Sequence, residues 1–265
     1  MEKLGKEQDS KFYWDQATQD YVDALAMPYH EHRLKVAFDL IPVDLIKEDK
    51  IIYDFGCGDA IMFEPFIKSG AKISGCDIVP DMIAKAKVRL AGIGGDSNSL
   101  SLGGVNCLKN VESNSLDALI SFNVLAYLSQ AEELDFYSEA KRIVKKDGKL
   151  IVSHSNKLFD LFSLNRYTVE FFREEFVSNV DDLLCRANQP VDFTTYNIRE
   201  NPLCYKFKLA NFGFEEIGQR FSNLHEKLPG LQTQKNYPDT LNFAEDSIWK
   251  LMFKCSTYMS LSRKT

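Results

Sequence analysis

The sequence predicts an α/β fold in which a mostly parallel sheet is covered by helices on both faces, and three observations carry that expectation. Segments of strand composition alternate with segments of helical periodicity along most of the chain, the pattern of parallel strands joined by crossover helices. The run Ile51-Ile52-Tyr53-Asp54-Phe55-Gly56-Cys57-Gly58-Asp59 is an apolar stretch that stops at an acid and breaks into two glycines one residue apart, so a buried strand should turn sharply into a helix. A second apolar stretch, Ala71 to Ile78, carries Asp77 at its end, 19 residues after Gly58. Glycine tolerates backbone angles that a side chain forbids, and Gly56 and Gly58 are expected to let the main chain pass close to a ligand. An acid at the carboxyl end of the neighbouring strand is placed to accept both hydroxyls of a ribose. Asp54, just before the turn, can accept a hydrogen bond or face a positive group. The combination suits a cationic, nucleoside-bearing small molecule.

The elements follow in chain order. Residues 9–47 read as one or two helices ahead of the first strand and include Tyr21, Tyr29, His30 and Arg33. After the turn, Ile61 to Ile67 starts a helix that Gly70 ends, and Pro80 opens another that runs to about Ala91. Met82, Ile83, Ala86 and Leu90 recur there at helical spacing as a packing face, and Met82 lies near enough to the second strand's end to touch an adenine ring. The glycine- and serine-rich stretch 92–104 is a loop, before a short third strand expected near Val105. Leu116 to Phe122 is the fourth strand. A helix from Ala131 to Lys146 should follow, with Leu134, Ala140, Ile143 and Val144 inward and Gly148 as its stop. The basic residues Lys141, Arg142, Lys145, Lys146 and Lys149 suit a helix C-terminus. Gly148 to Ser153 is the fifth strand. Residues 155–212 form an insert before the sixth, long enough to expect a function, and a segment leaving a carboxyl strand end is the natural roof of a second pocket. Arg166 and Tyr167 are its candidate site residues.

A chain of 265 residues with 45% hydrophobic residues can bury a substantial core. The net charge of −6 disfavours a surface built to grip long nucleic acid. Six cysteines, at 57, 76, 107, 185, 204 and 255, include no Cys-x-x-Cys pair and no His cluster at metal-ligand spacing, so reduced thiols and no metal are expected. The charged N-terminus lacks the apolar core of a signal peptide, and no apolar run approaches membrane-spanning length. A cytoplasmic protein is expected.

Two families use such a glycine turn. The dinucleotide fingerprint needs a third small residue where Ile61 stands. The set Asp54, Gly56, Gly58 and Asp77 instead resembles the class I S-adenosylmethionine-dependent methyltransferases. The resemblance runs from about Asp9 to Ser153, then through Gly213 to Ser222 and at the C-terminus. It implies one domain over 1–265 with a Rossmann-like, seven-stranded, mostly parallel sheet, a helical cap at 9–47 and an insert at 155–212 between strands five and six. In that family the glycine turn surrounds the methionine part of the cofactor S-adenosyl-L-methionine, and the acid matched by Asp77 holds the ribose. The polar strand end leading to Asn123 matches a further motif, and the adenine-contact position falls at Asn106 and Cys107. Tyr21 and Arg33 look like the aromatic and cationic residues that meet the cofactor carboxylate, and Ile78 and Met82 complete the implied cofactor set.

The insert also resembles bacterial methyltransferases of surface-polysaccharide gene clusters, which implies a small-molecule acceptor: a sugar, a nucleotide sugar, or a phosphate- or phosphoramidate-bearing precursor. RNA or protein acceptors, or a nicotinamide-dependent oxidoreductase, are the alternatives. The implied chemistry is in-line displacement at a sulfonium methyl, governed by positioning. An oxygen acceptor benefits from a base, and His154 is the first candidate, with His30 and Tyr127 behind it. Tyr29, His30, Tyr127, Arg166 and Tyr167 are the candidate acceptor contacts.

Overall fold

The apolar run before the glycine turn forms β1 (Ile51–Phe55), buried except at its first residue. β2 (Lys72–Asp77) lies parallel on one side and β4 (Leu116–Ser121) parallel on the other. β3 (Leu100–Leu102) extends the sheet beyond β2. β5 (Val144–Asn156) continues it beyond β4, followed by β7 (Cys255–Lys264) and then β6 (Phe214–Leu224). The order is therefore 3-2-1-4-5-7-6, with β7 antiparallel to both neighbours. An eighth, two-residue strand, Arg199–Glu200, pairs parallel with Ser155 and Asn156 at the carboxyl end of β5. The fold is the expected mixed α/β architecture with a mostly parallel sheet. The computed structural model describes residues 27–160, 198–225, 236–242 and 248–265, with Lys11, Tyr13, Trp14 and the backbone of 6–8 and 193–195.

Strand alternation sends successive side chains into two layers. Tyr53, Phe55, Leu119, Leu150 and Val152 meet α4 (Gln130–Ile143), α5 (Tyr205–Asn211) and α6 (Ile248–Lys254) on one face. Ile52, Ile73, Ala118, Ile120 and Ile151 meet α1 (Pro28–Leu40), α2 (Glu64–Lys68) and α3 (Pro80–Ile93) on the other. α3 buries Met82, Ile83, Ala86 and Leu90, the stripe its periodicity predicts. Pro80 occupies its first turn, where the missing N–H costs nothing. α4 starts at a Ser129/Glu132 capping box, which satisfies two terminal donors.

Three boundaries and one buried face differ from the sequence expectation. The third strand is Leu100–Leu102, and Val105–Asn110 is a 3-10 helix. The chain after the glycine turn forms a 3-10 turn, Ile61–Phe63, before α2. α4 buries Phe136, Tyr137, Ala140 and Ile143, whereas Leu134 is 55% exposed. That helix ends at Ile143 because Val144 is already extended and opens β5. Lys145 consequently leaves the helix end and pairs with Asp117 at 2.8 Å.

Of the predicted cap, α1 lies against the β6 end of the sheet. Asn223 of β6 donates its side-chain amide to the Tyr29 carbonyl at 2.8 Å, and Arg220 pairs with Asp39. Of the insert, α5 buries Tyr205 and Leu209 in the core, so that stretch is a crossover helix rather than a roof. A separate parallel ladder joins 6–8 to 193–195, linking the N-terminal segment to the insert.

Candidate functional site

The carboxyl ends of β1, β2 and β4 open onto a cleft of about 350 Å³, lined among others by Gly56, Gly58, Asp77, Ile78, Met82, Asn106, Asn123 and Tyr127. A second hollow of about 80 Å³ adjoins it, shares Gly56, Gly58, Met82, Phe122 and Asn123 with it, and adds Asp54, His30 and Arg33. The two compartments meet over the glycine turn.

The turn itself is held by main-chain bonds. Gly56 and Cys57 both donate to the Cys76 carbonyl, at 2.8 and 2.9 Å. Gly56 has φ +77, and a Cβ there would lie 2.1 Å from Val124 Cγ2. Gly58 has φ +53, but a Cβ there meets nothing within 4 Å. The first glycine is demanded by packing, the second by a left-handed backbone facing open space. Gly56→Ala should therefore lower stability through the clash and the backbone strain, about 2 kcal/mol or more. Gly58→Ala should cost only about 1–2 kcal/mol, yet its methyl enters the cleft. Thermal melts of both variants, with ligand titration of Gly58→Ala, separate the two roles. Equal loss of stability with unchanged ligand affinity in Gly58→Ala contradicts the assignment.

Asp77 uses both carboxylate oxygens within the turn, accepting from Gly58 N–H and Val79 N–H at 2.9 Å each. Burial raises its pKa, outweighing the lowering by those backbone donors and Ile78 N–H. Each oxygen keeps a lone pair, and Asp77 lines the larger compartment. Asp54 is buried beneath the turn, and desolvation, then the neighbouring Asp77, pushes its pKa up to about 8. A buried acid of this kind calls for a cationic partner.

At the other end, Arg33 donates to the Asn123 side-chain carbonyl at 2.7 Å, and its guanidinium lies 2.6 Å from His30 Nδ1. A guanidinium only donates, so Nδ1 is the acceptor. The neutral imidazole therefore carries its proton on Nε2. Burial, then Arg33, lowers the His30 pKa to about 4, and His30 faces the hollow as a hydrogen-bond donor rather than a base. Asn123 adopts φ +62, a conformation that asparagine tolerates, and Ser153 Oγ accepts its N–H at 2.7 Å.

Three candidates fall elsewhere. His154 is 3% exposed and packs between Tyr205 and Tyr258 in the α5 layer, with ring centroids 4.6 and 6.0 Å away. Neither ring nitrogen has a hydrogen-bond partner among the described residues, and burial, then Lys208, lowers its pKa to about 3. The cause is strand alternation: Ser153 faces the site, so the next residue must face the opposite layer. His154 is thus a core residue and not the base. Cys107 turns its thiol toward Cys76 and packs against the core instead of lining the cleft. Tyr29 stands behind the hollow, bonding Ser256 Oγ at 3.1 Å with its ring against His30. Tyr21, Arg166 and Tyr167 lie outside the described residues.

The structure adds Trp14, Gly103, Gly104, Val124 and Leu128 to the cleft wall. The Gly103-Gly104 pair was a visible signal. Trp14 was not, because its ring reaches the site through a tertiary edge contact with Tyr127, 113 positions away, at 4.9 Å. Among the described residues no helix is long and apolar enough to cross a membrane, and no cluster of His, Cys, Asp and Glu is placed to hold a metal.

Residues 53–152 match the family model described as a methyltransferase domain. No curated protein sequence matches the chain significantly. Among solved structures, a SAM-dependent methyltransferase from Archaeoglobus fulgidus is 17% identical with a TM-score of 0.58, over 92% of this chain and 99% of that one. A SAM-dependent methyltransferase from Thermotoga maritima, described as a possible histamine N-methyltransferase, is 15% identical with a TM-score of 0.60, over 97% and 100%. Magnesium protoporphyrin IX methyltransferase from Synechocystis with bound SAH is 13% identical with a TM-score of 0.61, over 96% and 98%. Residues 53–152 thus carry the match to a methyltransferase domain, and the sheet has the fold shared by these S-adenosylmethionine-dependent methyltransferases.

Proposed function

We propose that the cleft binds S-adenosylmethionine across its two compartments and that the methyl group passes to a small-molecule acceptor. One observation carries the reading. A ribose-ready carboxylate, Asp77, lines the larger compartment, and a buried acid and arginine, Asp54 and Arg33, line the smaller, so that together they form one trough bent over Gly56 and Gly58. Adenosine fits the larger compartment, with Asn106 and Met82 beside the base and Asp77 under the ribose. The methionine end fits the smaller one, where Asp54 faces the ammonium and Arg33 with His30 Nε2–H faces the carboxylate. Bound S-adenosylmethionine supplies a sulfonium methyl open to displacement. The chain's contribution is positioning, since an in-line approach within near-attack distance accounts for much of the acceleration in such a transfer.

The acceptor proposed is an oxygen of a sugar, nucleotide sugar or phosphate-bearing polysaccharide precursor. Trp14 and Tyr127 offer the aromatic faces on which a sugar or base stacks. Arg166 and Tyr167 of the insert are proposed to close over that acceptor. Calorimetry with S-adenosylhomocysteine and NAD, followed by an acceptor panel scored for S-adenosylhomocysteine release, tests the reading. Binding of the former alone, with turnover of a sugar-type acceptor, is expected. Preference for NAD refutes it.

A further inference from the structure

A second arginine stands at the carboxyl end of the sheet. The ladder Ser155↔Arg199 sets it beside the end of β5, the side on which open α/β sheets bind ligands. Ile198 N–H bonds the Ala126 carbonyl at 3.0 Å, which ties this strand to the turn that carries Tyr127 into the cleft. Strand alternation sets the direction of the side chain. Glu200 bonds Lys208, which in turn reaches Glu133 of α4, so Arg199 leans to the opposite side, toward α1. Its electrostatic neighbours there include the phenols of Tyr29 and Tyr127. Burial lowers its pKa to about 10, with both phenols opposing, so the guanidinium stays charged at neutral pH.

We propose that Arg199, held beside the end of β5 and the turn that carries Tyr127, is the anion-binding residue of the acceptor site and that the acceptor carries a phosphate or carboxylate. The inference rests on the methyl-transfer reading above. The distribution of charge supports it: Asp54 and Asp77 lie at the turn and Arg33 of α1 lines the smaller hollow, while Arg199 adds a cation on the short strand at the carboxyl end of β5. A negative acceptor entering between a guanidinium and the sulfonium is attracted by both, and a cationic one is repelled by both. The guanidinium fork matches the paired oxygens of phosphate or carboxylate, and the Tyr127 phenol, which lines the cleft, can donate to the same group.

The test is calorimetry on the full-length protein saturated with S-adenosylhomocysteine, titrated with glucose 1-phosphate, glucuronate and glucose. The parent should bind one or both charged sugars at least about 10-fold more tightly than glucose, a difference of about 1.4 kcal/mol, and the two charged arms separate phosphate from carboxylate recognition. Arg199→Gln should bring the charged sugars within about 2-fold of glucose. Arg199→Lys should restore part of the preference, because it keeps the charge but not the fork. Affinity for S-adenosylhomocysteine should stay within about 2-fold in both variants. No preference for charged sugars in the parent, an undiminished preference in Arg199→Gln, or joint loss of S-adenosylhomocysteine binding overturns the proposal. Failure of the parent to bind S-adenosylhomocysteine at all refutes the methyl-transfer reading instead.

Discussion

Asp77→Ala weakens S-adenosylhomocysteine binding by about 100-fold, while the protein remains folded. Two losses add. The mutant gives up the carboxylate proposed to face the ribose, and hydrogen bonds to a charged group contribute about 1.5–3 kcal/mol each, or one to two decades in Kd. It also frees the N–H groups of Gly58 and Val79, which Asp77 holds at 2.9 Å, so the turn that shapes the trough loses its tether. Asp77→Asn retains one acceptor oxygen and should lose only about 10-fold. Calorimetry on the three proteins reads the series. An unchanged Kd in Asp77→Ala removes this acid from the site.

Asp54→Asn weakens S-adenosylhomocysteine binding by about 10-fold or more at pH 8 and at the same time stabilises the ligand-free fold. The sign follows from the raised pKa of about 8, against 3.8 for the free side chain. Between those values the folded chain holds a proton that the unfolded chain has released. Folding stability therefore falls as pH rises through that window. Asparagine removes the titration, and a gain of about 1–2 kcal/mol appears as a Tm rise of about 2–8 °C near pH 8. Binding follows the reverse course. A cationic ligand favours the ionised carboxylate, so the parent's affinity should climb as pH rises toward 8, while the ligand's ammonium keeps its proton, and binding at pH 7 should release a proton from Asp54. Titrations in two buffers of different ionisation enthalpy count that proton. A pH-independent Kd in the parent, or a lower Tm in Asp54→Asn, contradicts the account.

Particular residues show which parts of this protein are local in origin. Gly56, Gly58 and Asp54 announce themselves in one stretch and Asp77 at the end of the next apolar one, because the turn, the strand ends and the acids are constraints within single elements. The α3 stripe is equally local, since Met82, Ile83, Ala86 and Leu90 need only helical periodicity to share a face. The third strand is different. Leu100–Leu102 is a strand because Gly75, Cys76 and Asp77 offer it a ladder, and three residues carry too little pattern to reveal that alone. The end of α4 likewise depends on β4, beside which Val144 and Lys149 pair.

The α/β class, the glycine turn, the two acids and the helical packing faces are all legible in the amino-acid sequence. Each of these depends on residues within one or two turns or strand lengths of one another. The tertiary structure was needed to show that His154 is a core residue, that Arg33 locks the His30 tautomer, and that Arg199 pairs beside Ser155 at the end of β5. Those outcomes turn on which face of β5 a side chain occupies and on contacts between residues 90 apart, as in Arg33 and Asn123. A shift of one residue reverses the face of a strand, and a distant contact leaves no trace in local periodicity.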